Sequence, residues 1–134
     1  HRLFVLFMPQ IRLLAGADAL STVATKMSEF ASRLTARVNE AQASGQNISQ
    51  MQTLLTDMQA KITDANTQST AIITAVSPLT PAGYPGNLSI LKTARQNLKT
   101  GTQDLKIAAQ DARQIISLLK AEAATTSLNV EPGG

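Results

Sequence analysis

The sequence of 134 residues predicts an all-α protein, an antiparallel up-down-up three-helix bundle shaped like a coiled-coil rod. Two observations predict this fold. Apolar and small residues recur at alternating steps of three and four in three separate segments, and residues that end helices divide those segments. The helices are expected at about 9–44, 47–77 and 87–122. Residues 9–122 then form one bundle domain, which suits the length of the chain.

Each predicted helix carries one stripe of contact residues, and steps averaging 3.5 keep such a stripe facing a neighbouring helix. The stripe of the first helix consists of Leu13, Gly16, Leu20, Val23, Met27, Phe30, Leu34, Val38 and Ala41. The second consists of Ile48, Met51, Leu55, Met58, Ile62, Ala65, Ser69, Ile72 and Val76. The third consists of Leu91, Ala94, Leu98, Gly101, Leu105, Ala108, Ala112, Ile115 and Leu119.

The segments between the helices predict how the chain turns. Gly45 suits the left-handed position that follows a helix, and Asn47 with Gln50 predicts a capped start of the second helix. The link is short enough to force an antiparallel hairpin. Residues 77–86 contain three prolines and span at most about 36 Å, whereas a thirty-residue helix is about 45 Å long. The third helix, with Asn87 as its cap, therefore runs antiparallel to the second.

Polar residues within the helices are interpreted as structural. Ser69 lies in the second stripe and is expected to bond back onto its own helix, with a register-setting contact as the less favoured alternative. Two surface ion pairs are expected, Asp57 with Lys61 and Glu29 with Arg33.

Carboxylates recur at a spacing of seven residues on two helices. Asp57 and Asp64 share one face of the second helix, and Asp104 and Asp111 share one face of the third. A metal site needs several converging oxygen ligands, so a solvated face is the favoured interpretation.

The composition excludes several classes of function. The net charge is only +3, the basic residues are interleaved with acidic ones, and no tryptophan and one tyrosine are present, so nucleic-acid binding is not expected. His1 is the only histidine and has no identifiable catalytic partner. No catalytic residue, metal ligand or cofactor is predicted, and the chain is interpreted as a protein without enzymatic activity.

The third helix carries a weak basic stripe. The favoured interpretation is that these charges belong to a solvated face. The alternative is that they contact an anionic polymer, lipid headgroups or an acidic partner surface. The stripe consists of Arg95, Lys99, Lys106, Arg113 and Lys120.

The opening residues are the most apolar part of the chain. Residues 1–8 are predicted to be an assembly segment whose six apolar side chains, Leu3 to Met8, protrude beyond the bundle. Pro9, Gln10, Arg12 and Asp18 interrupt the run before it reaches the twenty residues of a membrane span. A secretory signal is also disfavoured, because Arg12 interrupts its apolar core. The predicted assembly interface consists of Leu3, Phe4, Val5, Leu6, Phe7, Met8 and Ile11.

Residues of about 20–121 resemble the uncharacterised secreted helical-hairpin proteins of candidate-phyla (Patescibacteria-type) bacteria. The resemblance lies in Arg33–Val38 at the end of the first helix, the turn Gly45–Ser49, Leu54-Leu55 with Ala60–Ala65, and Leu118–Ala121. In that group the hairpin follows a secretion signal, which implies an extracytoplasmic location. The resemblance implies no activity.

The expected function is that of a non-enzymatic extracytoplasmic structural protein that forms homo-oligomers through its apolar N-terminus, such as a subunit of a filament or surface appendage. A membrane- or lipid-binding helical protein is a less favoured alternative. A coiled-coil adaptor or spacer module of a larger protein is another, since residues 123–134 are predicted to be a flexible tail.

Overall fold

Three helices that all pack against one another form the bundle, which confirms the predicted fold class. A computed structural model describes the backbone of residues 2–130 and the side chains of residues 6–124. The helices are α1 (Arg2–Ala43), α2 (Ser49–Val76) and α3 (Asn87–Val130), with a short 3-10 turn at Pro81–Gly83. The packing of α2 against α3 is the most extensive of the three pairs, and that of α1 against α3 is the least.

Two long-range hydrogen bonds fix the antiparallel register of α1 and α2. The Ser69 hydroxyl donates to the backbone carbonyl of Ala17 over 2.7 Å, and the Gln10 amide donates to the carbonyl of Val76 over 2.9 Å. The expectation that Ser69 bonds back onto its own helix is therefore wrong. Ala17 leaves its carbonyl accessible because it carries no bulky side chain, so Ser69 makes the interhelical contact.

Glycine and leucine fix the parallel register of α1 and α3. A Cβ atom at Gly16 would lie 2.8 Å from Leu98 Cδ2, and one at Gly101 would overlap Leu20 Cδ2. Each glycine thus accommodates a leucine of the other helix. The second contact lies further along both helices in the same direction, by four residues on α1 and by three on α3. The up-down-up topology follows from these contacts together with the antiparallel α1–α2 pair.

The turn between α1 and α2 has the predicted glycine in the predicted conformation. Gly45 has φ of +87°, the Gln46 N–H donates to the Ala41 carbonyl, and the Gly45 N–H donates to the Gln42 carbonyl. This is the Schellman arrangement that closes a helix.

The predicted helix caps at the starts of α2 and α3 differ from the observed ones. Helix α2 begins at Ser49, and the side-chain Oδ1 of Asn47 accepts hydrogen bonds from the Ser49 N–H and hydroxyl. Asn87 is the first residue of α3, and its amide donates to the Thr80 carbonyl over 2.7 Å. Asn87 therefore stabilises the link between α2 and α3, whereas Asn47 bonds to the first residue of α2.

The outer helices are longer than predicted. Helix α1 begins at Arg2 and continues through Pro9, and α3 continues to Val130. Residues 2–8 are thus the first turns of α1, and residues 123–130, predicted as flexible, are helical. The predictions for His1 and for residues 131–134 lie outside the described residues.

The core confirms the stripes of α2 and α3 and corrects that of α1. Every predicted α2 stripe residue is buried. In α1, however, Val23 is 45% exposed and Phe30 is 36% exposed, while Ala24 and Ala31 beside them are buried. Alanine lets α1 approach the other helices closely, so the two large side chains are displaced onto the flank that faces α3.

Candidate functional site

The predicted assembly segment is only partly free of the bundle. Leu6 is 3% exposed and packs with Leu13 and Val76 in the core at this end of the bundle, so the prediction that all six side chains protrude is wrong for Leu6. Phe7 and Met8 are 48% and 41% exposed, and Ile11 is 45% exposed. The side chains of Leu3, Phe4 and Val5 lie outside the described residues.

The continuation of α1 explains this division. A helix turns by about 100° per residue, so one face of the segment meets the core while Phe7, Ile11 and Met8 lie within an outward arc of about 100°. Gln10 holds the segment in place, because its amide also donates to the Leu79 carbonyl over 3.2 Å. The sequence suggested Gln10 only as an interruption of an apolar run, and its role in satisfying carbonyls at the end of α2 was missed.

An open apolar groove runs along the seam between α1 and α3, and we call it the α1–α3 groove. Its larger part has a volume of about 710 Å³. The walls consist mostly of small or aliphatic side chains and contain few polar atoms. The lining residues include Ala19, Val23, Met27, Leu98 and Ala109. A second part of about 440 Å³ continues along the same two helices from Phe30 and Leu34 to Ile116 and Leu119.

Two of the five residues of the predicted basic stripe of α3, Lys106 and Lys120, line this groove. Lys106 lines its larger part, and Arg95 and Lys99 line an adjoining depression on the outer side of α3. Lys120 lines the second part, together with Arg33 and Arg37 of α1. Arg113 is exposed on α3 and is not among the lining residues.

Within the part of the chain whose side chains the structure describes, no carboxylate forms an ion pair with a cation of the groove. Among residues 6–124, Lys61 with Asp57 at 2.9 Å is the one ion pair, as predicted. The expected pair of Glu29 with Arg33 is not formed. Arg33 instead lines the groove, so its charge is available to a partner.

Buried carboxyl groups line the seam between α2 and α3. Asp104 and Asp111 are 8% and 6% exposed, so the prediction of a solvated face is wrong for these two residues. Asp64 lies at hydrogen-bonding distance from Asp104, and Asp57 from Asp111. Asp57 and Asp64 are half-buried on the opposite helix. The spacing of seven residues, which α2 and α3 share, places the two pairs two turns apart.

Burial changes the acidity of these groups. Desolvation, followed by the hydrogen bond and the negative charge of Asp64, raises the pKa of Asp104 to about 6. Desolvation and Asp57 likewise raise the pKa of Asp111 to about 6. The hydrogen bond with Asp111, followed by that with Lys61, lowers the pKa of Asp57.

Protonation of one carboxyl allows each pair to form a hydrogen bond. The Oδ2 atoms of Asp104 and Asp111 have no hydrogen-bond donor within the described part of the chain. Two ionised carboxylates cannot donate to each other, whereas a protonated carboxyl of α3 donates to the carboxylate of α2. Across the described residues, no cluster of three or more metal-ligating side chains occurs. Below a pH of about 6, each pair is therefore able to share a proton across the seam between α2 and α3.

The remaining predictions concern the chain ends and membranes. His1 lies outside the described residues, so the structure does not position its imidazole. Within residues 2–130, no helix has a stretch long and apolar enough to cross a bilayer.

The fold and these surfaces define a three-helix bundle with an open apolar groove and an exposed apolar end. No protein-family model matches the chain, and comparison with curated proteins and with solved structures finds no significant match.

Proposed function

We propose that this chain is a non-enzymatic structural protein that assembles with copies of itself outside the cytoplasm, as in a filament or surface appendage. The observation that carries the proposal is the exposure of Phe7, Met8 and Ile11 on one arc of α1. Neighbouring large apolar side chains on a surface favour burial against another protein. The resemblance of residues 20–121 to secreted helical hairpins supports the location.

Rigidity of the N-terminal end supports self-assembly over loose insertion. Leu6 is packed into the core and Gln10 bonds to carbonyls at the end of α2, so the exposed residues are held on a fixed helix. A fixed surface loses less conformational entropy on association than a flexible one.

Replacing Phe7 and Ile11 together with Gln tests this proposal. Because both side chains are exposed, the double variant keeps the bundle core, whereas deletion of residues 1–8 would also remove Leu6. The mass of the wild type measured by light scattering is expected to exceed that of one chain, and the double variant is expected to be a monomer.

A matched control is Val23→Gln, which removes an equally exposed apolar side chain elsewhere on α1. It is expected to assemble like the wild type. If the double variant assembled as well as the wild type, the proposal would be wrong. Flotation of the wild type, but not of the double variant, with anionic vesicles would favour the alternative of lipid binding.

A further inference from the structure

The α1–α3 groove has the dimensions of a binding site for one helix. Its two parts extend from Gly16 to Arg37 along α1, which corresponds to about 30 Å at 1.5 Å per residue. Val23 and Phe30, which the spacing of the sequence assigned to the helix contacts, stand exposed in its wall. Helix α1 therefore has a wider apolar face than α2 and α3 cover.

The shape of the groove favours a helix over a flat surface. Residues of two helices line it from both sides, and the small side chains of Ala19 and Ala109 let a third element approach their backbones. An amphipathic helix places residues at steps of three and four into such a groove. A bilayer meets convex faces and leaves a concave seam of this kind unfilled.

Charge selects among the helices that fit. The lining residues along the full length of the groove include Lys106, Lys120, Arg33 and Arg37 and no aspartate or glutamate. The carboxylates of α2 and α3 lie instead at the other seam, where Asp104 and Asp111 are buried. Cations that flank an apolar strip complement a helix with acidic flanks.

We propose that the α1–α3 groove binds an amphipathic helix of another protein, about twenty residues long, whose apolar stripe is flanked by aspartate or glutamate. This surface is separate from the self-assembly surface of Phe7, Met8 and Ile11. On the helical wheel of α1, Val23 and Phe30 face α3, whereas Phe7 and Ile11 point away from it.

Two synthetic peptides provide the probe. Both are 21 residues long and share one leucine–alanine stripe, with glutamate on the flanks of one peptide and lysine on the flanks of the other. Fluorescence anisotropy with the full chain is expected to show binding of the glutamate peptide at least tenfold tighter than of the lysine peptide. The difference is expected to shrink as salt is raised, because salt screens exposed charges.

Variants locate the binding. Val23→Gln is expected to lower the affinity for the glutamate peptide at least fivefold. Ile73→Gln, which removes a comparably exposed side chain from α2, is expected to change this affinity less than twofold. Lys106→Glu is expected to lower the affinity for the glutamate peptide and to raise the affinity for the lysine peptide. Circular dichroism of each variant verifies that the bundle is folded.

Several results would overturn the proposal. These results are equal affinity for the two peptides, an equal loss of affinity for the glutamate peptide in Ile73→Gln and Val23→Gln, or no binding of either peptide. Two results would assign the groove to another occupant and also reject an acidic helix: a dimer that Val23→Gln dissociates, or flotation with phosphatidylglycerol vesicles that Val23→Gln abolishes. The self-assembly proposal is tested separately, since the Phe7 and Ile11 double variant leaves the groove unchanged.

Discussion

The carboxyl pairs between α2 and α3 stabilise or destabilise the bundle according to pH. When Asp104 and Asp111 are protonated, each donates a hydrogen bond across the seam. When they ionise, two buried carboxylates face Asp64 and Asp57 at short range. The charged groups acting on Asp104 are Asp64 and Lys61, and those acting on Asp111 are Asp57 and Lys61, so all of them come from α2. Lys61 offsets part of the repulsion.

The bundle is expected to lose stability as pH rises from about 4 to about 6. The folded pKa of Asp104 and Asp111 is about 6 and the ordinary pKa of aspartate is 3.8, so the folded state binds more protons in this window. Such groups stabilise the fold below the unfolded pKa, and that stability is lost as pH rises through the folded pKa. Urea unfolding at pH 4, 5, 6 and 7.5 measures the loss, and a constant unfolding free energy would contradict it.

Asparagine at both buried positions is expected to remove this pH dependence. Asp104→Asn with Asp111→Asn keeps a donor for each α2 carboxylate and removes the ionisable group. At pH 7.5 the double variant is expected to be more stable than the wild type by about 1–3 kcal/mol, and near pH 4 the two should be similar. Thermal melts at both pH values measure this. A double variant less stable at pH 7.5 would show that the carboxylates are needed as anions.

Ser69 illustrates a second polar contact whose partner is on another helix. Ser69→Ala removes the donor to the Ala17 carbonyl and is expected to lower the unfolding free energy by about 1 kcal/mol, because a buried acceptor loses its bond. The control is Ser32→Ala, since the exposed Ser32 hydroxyl bonds only to the Ser28 carbonyl of its own helix. Equal effects of the two substitutions in urea would contradict an interhelical role.

At the scale of the helix, the sequence predicts α2 and α3 better than α1. The stripes of α2 and α3 are those observed because each of these helices lies in the most extensively packed pair. In α1, two stripes are compatible with the same spacing, one with Val23 and Phe30 and one with Ala24 and Ala31. Periodicity does not distinguish them. The choice depends on how closely the partner helices approach.

Helix ends show where local signals are overridden. Pro9 suggested a start for α1, but the core contact of Leu6 and the hydrogen bonds of Gln10 extend the helix to Arg2. Tertiary contacts of this kind compensate for the backbone hydrogen bond that proline removes. Neither contact is visible in the sequence, since both require the end of α2 to be placed beside α1.

The contact of Gly101 with Leu20 is expected to set the spacing of α1 and α3. Gly101→Val places a branched side chain where Leu20 packs, so overpacking is expected to lower the unfolding free energy by about 1–3 kcal/mol. Thr100→Val is the control, because Thr100 is an exposed neighbour on the same helix. Urea denaturation compares the two. A Gly101→Val variant as stable as the control would show that the helices need not approach so closely.

At the scale of the whole molecule, the fold is predictable and the surfaces are only partly so. Heptad spacing and the positions of glycine and proline suffice to predict three helices in up-down-up order. The α1–α3 groove depends on which side of α1 its large residues occupy, and the buried carboxyl pairs depend on the relative register of α2 and α3. Both are properties of helix pairs, so no single segment of the sequence contains them.

The distribution of charge gives the bundle two different seams. Carboxyl groups lie between α2 and α3, whereas the α1–α3 groove is apolar with cations along it. The net charge of +3 conceals this separation. The same α3 helix therefore contributes to a closed seam with buried carboxyl groups and to an open apolar groove flanked by cations.

Self-assembly through the start of α1 is the central claim, and the mass of the wild-type chain in solution tests it most directly. Sedimentation equilibrium over a hundredfold range of concentration is expected to give a mass that rises above the 14.2 kDa of one chain. Phe7→Gln with Ile11→Gln is expected to return it to the value for one chain. A wild-type mass of 14.2 kDa at every concentration would contradict the claim.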